Sequence, residues 1–153
     1  MKKENEISLT GFLDFDVFVL PETKTELLNI VNSFQKEILV VYFNDKNEPE
    51  LDLLLKNIFS AANKTPEKEI LLLKATRQAI YSFHDLKEKL PLKDHLFFGI
   101  PPSNFGLNFS IEPYQPLVVN NLRILLIDSL ETINTDVNKK KALWSCLKEM
   151  YLK

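Results

Sequence analysis

Apolar residues in this chain gather in short continuous runs instead of alternating with polar ones: Ile38 to Phe43 (ILVVYF), Ile70 to Leu73 (ILLL), His95 to Ile100 (HLFFGI) and Arg123 to Ile127 (RILLI). Such runs suit strands buried on both faces, which occur where helices cover both sides of a sheet. The pattern predicts an α/β fold, a three-layer α/β/α arrangement around a mostly parallel sheet of 4–5 strands. The first two runs frame a complete strand, helix, strand unit. Asn44 to Glu48 is a polar turn, Pro49 suits the first helical position, and Leu51, Leu54, Leu55, Ile58, Phe59 and Ala62 recur at helical spacing. Asn63 ends that helix, and Lys64-Thr65-Pro66 turns the chain into the second run, parallel to the first through a right-handed crossover.

Around this unit the pattern continues. Thr23 with Glu26 forms a capping box for a helix carrying Leu27, Leu28, Val31 and Phe34, and Thr76 to Leu90 reads as a helix ending before Pro91. Ile111 to Asn121, with Pro113 and Pro116, reads as an irregular or edge segment. Leu130 to Asp136 is a linker, and Asn134 or Asp136 caps a final helix. On that helix Val137, Leu143, Trp144, Leu147, Met150 and Tyr151 share a face, with Trp144 as a core anchor. At the other end, Ile7 to Pro21 is rich in Leu and Phe. The chain thus divides into an N-terminal docking segment or edge strand (1–21) and a single α/β domain (22–153).

Composition narrows the function classes. A chain of 153 residues with 45% hydrophobic and 26% charged residues is ordinary for one globular domain. A net charge of −2 offers no field for a polyanion, and Arg77 and Arg123 are the only guanidinium groups. No sequence-specific nucleic-acid binding is expected. Cys146 is the only cysteine, which excludes internal disulfides and four-cysteine zinc sites. No apolar run approaches the ~18 residues of a membrane span, and no signal-peptide pattern follows Met1, so a soluble cytoplasmic protein is expected.

Candidate chemistry is sparse. The loop after Phe43 has no Gly, so neither a dinucleotide fingerprint nor a phosphate-cradling loop is present. His84 and His95 have no His or Cys partner at helical spacing, and His84 reads as a surface residue. Cys146, beside Trp144 and Leu147, reads as a buried inert thiol. Lys139, Lys140, Lys141 and Lys148 read as a solvated helix face. Asp45, Glu48 and Glu50 follow a strand, where α/β enzymes place carboxylates, but acids at a helix start also suit its dipole. A ligand pocket, if present, would draw on Asn44, Asp45, Ser103 and Asn104 near the strand ends and the Pro101 to Leu107 loop. No catalytic residue, metal or cofactor is assigned.

The order of these features resembles the psi subunit of bacterial DNA polymerase III, a small accessory protein of the clamp loader. The resemblance is carried by LTGFLDFDVFVLP (Leu9 to Pro21), LVVYFND, LDLLLKNIFSAAN, Thr65-Pro66-Glu67, ILLL and KKKALWSCLKEMY with its Ala142-Leu143-Trp144. It implies a non-catalytic replication protein of the polymerase holoenzyme. Its N-terminal segment would bind the clamp-loader ATPase subunits, and its folded domain a chi-like subunit that leads to single-strand-binding protein. Leu9, Phe12, Leu13 and Phe15 become the docking residues. Two other readings compete. One is a degenerate uracil-DNA-glycosylase-like or nucleotide-binding protein with its pocket near Asn44 and Asp45. The other is a homodimer that exchanges the Ile7 to Leu20 segment as a strand.

Overall fold

The computed structural model describes residues 18–19, 36–75, 82–89, 92–108 and 110–152. The helix expected from Thr23, the docking residues Leu9, Phe12, Leu13 and Phe15, and the first turns of the Thr76 to Leu90 helix lie outside the described residues.

A six-stranded sheet organises the fold, in the order β1-β3-β2-β4-β6-β5. Its centre is parallel: β2 (Ile38–Tyr42) lies between β3 (Ile70–Lys74) and β4 (Asp94–Phe98), with Leu39 opposite both Leu71 and His95, and β4 pairs in turn with β6 (Leu122–Ile127). Two short edge strands complete it, at the N-terminal segment and the 111–121 segment expected to lie at an edge. β1 (Phe18–Val19) runs parallel to β3, and β5 (Leu117–Val119) runs antiparallel to β6. The β5–β6 hairpin closes through Asn120-Asn121, whose φ values of 50° and 67° suit the type I′ turn that matches strand twist. Pro116 just before β5 sits where a missing N–H is harmless, at an edge.

Alternation along the strands divides the core into two layers. Val40, Tyr42, Leu72, Leu96, Phe98, Leu125 and Ile127 pack against α1 (Pro49–Ala61), α4 (Leu130–Thr135) and α5 (Val137–Tyr151). Leu39, Val41, Leu73, Phe97 and Ile124 face the opposite side, covered by Phe105, Ile111 and, from α3 (Phe83–Lys89), Phe83. Every β2 residue is buried, as its unbroken apolar run requires. The chain is an α/β protein with both faces of a mostly parallel sheet covered.

Helix ends follow local chemistry. Pro49 occupies the first turn of α1, and Asn63, at φ 58°, takes the left-handed conformation just past its end. Pro66–Glu69 forms a short helix, α2, at the expected turn; Glu69 Oε2 accepts from Thr65 N at 2.7 Å. Asp136 caps α5, its Oδ1 accepting from Asn138 N at 2.9 Å and Lys139 N at 3.2 Å. The 130–136 stretch is not a linker, because Ser129 caps Leu130–Thr135 as a short helix that buries Leu130 and Ile133.

The expected strand at 95–100 runs instead from Asp94 to Phe98, because Gly99 turns at φ 70° and its N–H donates to Ile127 O at 2.8 Å. A Cβ on Gly99 would meet Ser129 Cα and Cβ at 2.8 Å, whereas one on Gly106, also at φ 70°, meets nothing within 4 Å. Gly99→Ala should therefore cost about 3 kcal/mol, combining left-handed strain with a backbone clash, and Gly106→Ala about 1 kcal/mol. Urea unfolding of both variants checks this. Equal costs would mean that the close approach to Ser129 does not matter.

Candidate functional site

In an open parallel sheet the place for a ligand lies outside the carboxyl ends of strands whose following loops diverge to opposite faces. Here that place lies between β2 and β4. After β2 the chain enters α1, which packs on one face. After β4 it passes through a 3₁₀ turn, Pro102–Phe105, whose Phe105 packs on the other.

The polar groups at this end of β2 and β3 form a closed network. Asp52, on the first turn of α1, is 3% exposed, and its Oδ1 accepts from the Tyr42 hydroxyl at 2.8 Å and from Asn44 Nδ2 at 3.1 Å. Lys74 ends β3 in register with Tyr42; its Nζ stands 3.8 Å from Asp52 Oδ2 and donates to Asn47 Oδ1 at 3.0 Å. Asn44 uses its remaining capacity on the backbone, donating to Glu48 O and accepting from Glu48 N, each at 2.9 Å. Buried polar atoms that satisfy one another in this way brace a loop and leave little hydrogen-bonding capacity for a ligand. Burial pulls the Lys74 ammonium below the usual lysine range, and the Asp52 charge offsets part of that. Burial, reinforced by the Asp52 charge, pushes the Tyr42 phenol well above its ordinary value.

The expected pocket residues divide. Asn44 is buried inside the network, while Asp45 beside it is exposed. Ser103 and Asn104 lie in the 3₁₀ turn, Ser103 exposed and Asn104 half-buried with its N–H donating to Pro101 O at 3.0 Å. A further cluster sits at the carboxyl end of β6. There Asp128 accepts from the Tyr114 hydroxyl and pairs with Lys139 at 3.1 Å. Burial alone would raise the Asp128 carboxyl, but the Tyr114 hydrogen bond and Lys139 hold it below the usual range.

At the opposite end of the sheet, Arg123 makes a two-pronged contact with Asp94, Nε to Oδ1 at 2.6 Å and Nη2 to Oδ2 at 2.8 Å, and the Tyr151 hydroxyl donates to the same Oδ2 at 2.7 Å. This ties the last turn of α5 to β4 and β6. Burial and the Asp94 charge push the Tyr151 phenol above its ordinary value.

Tyr42 and Tyr151 thus both hold their protons more tightly in the fold than in the unfolded chain. Their contribution is fully present below the ordinary phenol value of 10.0 and is lost as pH rises toward the folded values. Lys74 works in the opposite sense, adding stability as pH climbs to the ordinary lysine value of 10.5. Unfolding free energy should fall above pH 10.5 by about 1.4 kcal/mol per pH unit for each of the two tyrosines. Tyr42→Phe should flatten the fall in a urea titration across that range, and an unchanged slope would contradict it.

Among the described residues no group of three His, Cys, Asp or Glu side chains could hold a metal, and no helix is long and apolar enough to cross a membrane. His84 is exposed, 3.4 Å from Glu88. His95 is buried with its ring edge-on to Phe83 and Phe97. Burial raises the Cys146 thiol, keeping it protonated.

An apolar opening lies elsewhere, between α1 and α5. A groove of about 240 Å³ is lined by Asn57, Ile58, Ala61, Lys140, Leu143, Trp144 and Leu147. Trp144 is not the core anchor its spacing suggests: it is 37% exposed, while Leu143 and Leu147 beside it are buried. The reason lies across the groove, where α1 presents Asn57 and Ala61, too small or too polar to cover an indole. No protein-family model matches the chain, and no curated protein matches it. Sequence reasoning missed Asp52 and Lys74 as well. The one signal for Lys74 was its place directly after an apolar strand run.

Proposed function

We propose that the chain is a non-catalytic adaptor of the replication machinery, similar to the psi subunit. In this reading it joins the clamp-loader ATPase subunits to a chi-like subunit or to single-strand-binding protein. The observation that carries the reading is the exposed apolar groove in which Leu143 and Trp144, part of the Ala142-Leu143-Trp144 motif behind the resemblance, stand beside α1. Trp144, exposed beside the buried Leu143, offers a partner an aromatic anchor of the kind that dominates interfaces. By contrast, the polar groups at the carboxyl ends of β2 and β3 bond to one another, which supports an adaptor over a base or nucleotide pocket.

The test is gel filtration of the full chain mixed with the clamp-loader ATPase subunits of its own organism. A stoichiometric complex is expected. Separate elution at micromolar concentrations, together with calorimetric binding of a nucleobase or nucleotide, would replace the adaptor reading with the ligand-binding one.

A further inference from the structure

The α1/α5 groove carries a second feature, its charge. Lys140 lines it, and Lys148 follows Trp144 by one helical turn, so Lys140, Trp144 and Lys148 form one ridge along α5. Lys141 and Lys148 are exposed, and none of these three lysines forms an ion pair among the described residues. The facing ridge of α1 runs through Leu53, 50% exposed, then Asn57 and Ala61, each one turn apart, over about 12 Å. Glu50, at the first turn of α1, is the nearest acid along that ridge. Lys56 and Lys64, on and just past α1, are already matched, by Glu67 and Glu69.

From this arrangement we infer that the groove is a docking site for an amphipathic helix of a second protein, one with apolar anchors on one face and acidic residues on its flanks. An apolar floor of Ile58, Leu143 and Leu147 with Trp144 at its rim is a surface that takes a helix through i, i+3, i+4 and i+7 side chains. The unmatched lysines on the α5 side select acidic flanks and speed encounter. A second copy of this chain fits poorly. A two-fold axis across this groove would set one row of lysines against the other, and an axis along it would set them against the α1 ridge of Leu53, Asn57 and Ala61, which carries no acid. The inference goes beyond the adaptor reading and stands on the geometry of α1 and α5 alone.

Trp144 is the only tryptophan, so its emission reports on the groove directly. The experiment titrates the full chain with a synthetic amphipathic peptide of about 16 residues bearing Leu and Phe at those spacings and Glu on its flanks, and with a twin carrying Lys for Glu. The acidic peptide should shift Trp144 emission to the blue and saturate. The basic twin should bind at least about tenfold more weakly, and the difference should shrink in high salt. The double variant Lys140→Glu, Lys148→Glu, altered only at the surface, should reverse the preference, and Ala61→Arg should abolish the shift by filling the groove. Equal response to both peptides, or no response to either, would overturn the inference. Two further outcomes would also overturn it. One is peptide-free emission that changes with protein concentration, which would make a second copy the occupant. The other is peptide-free emission that moves to the red when Leu9, Phe12, Leu13 and Phe15 become Ala, which would make the chain's own N-terminal segment the occupant.

Discussion

Asp52→Ala should lower the unfolding free energy by about 4 kcal/mol, the largest effect expected of any polar substitution among the described residues. The substitution leaves the Tyr42 hydroxyl and one Asn44 N–H without their acceptor, and it strands the Lys74 ammonium, whose side chain is only 8% exposed, without its counter-charge. An unpaired buried charge costs more than a lost hydrogen bond, so most of the loss comes from Lys74. Two comparisons isolate that cause. Asp52→Asn keeps an acceptor for Tyr42 and should cost about half as much. The double replacement Asp52→Leu with Lys74→Met removes both charges and should be more stable than Asp52→Ala alone. Urea denaturation of the three variants decides the matter. If the double replacement is the least stable, the buried lysine is not the source.

Asp94→Ala should cost about 3 kcal/mol. Asp94 is 3% exposed and accepts three hydrogen bonds, two from Arg123 and one from Tyr151. The expected loss is smaller than for Asp52 because the Arg123 side chain is 34% exposed and can turn its freed guanidinium to water, which lowers the penalty of breaking the pair. Tyr151→Phe removes one of the three bonds and should cost about 1 kcal/mol. In the Asp94→Ala background the same change should cost nearly nothing, since the acceptor is gone. Additive losses would show that the Tyr151 contact contributes independently of Asp94. The expected physical result is a loosened C-terminal turn of α5, seen as faster amide exchange near Tyr151.

β2 and β3 were legible because they are buried on both faces and so read as apolar runs. β2 and β3 matched within a residue, and α1 was fixed at both ends by Pro49 and Asn63. The α/β class followed from these alone. α4 was not legible. Its six residues are too few for periodicity to register, and its cap Ser129 follows a strand so closely that the stretch reads as a connection. The β5 strand was half-legible, since Pro116 marks an edge but the Asn120-Asn121 turn needs two positive φ values that asparagine only permits. The candidate site was the least legible part. Tyr42, Asp52 and Lys74 come together only through the β2–β3 register and the placement of α1, and nothing in their spacing along the chain announces it. Trp144 shows the converse. Its helical spacing points inward, but exposure depends on what α1 sets against it.

The measurement that tests the adaptor reading most directly is the calorimetric affinity of the full chain for the clamp-loader ATPase subunits, compared with a variant carrying Ala at Leu9, Phe12, Leu13 and Phe15. The account predicts saturable binding that weakens by at least about a hundredfold in the variant, as expected when a few apolar anchors carry an interface. Binding that is absent in the full chain, or equal in the two proteins, would contradict it.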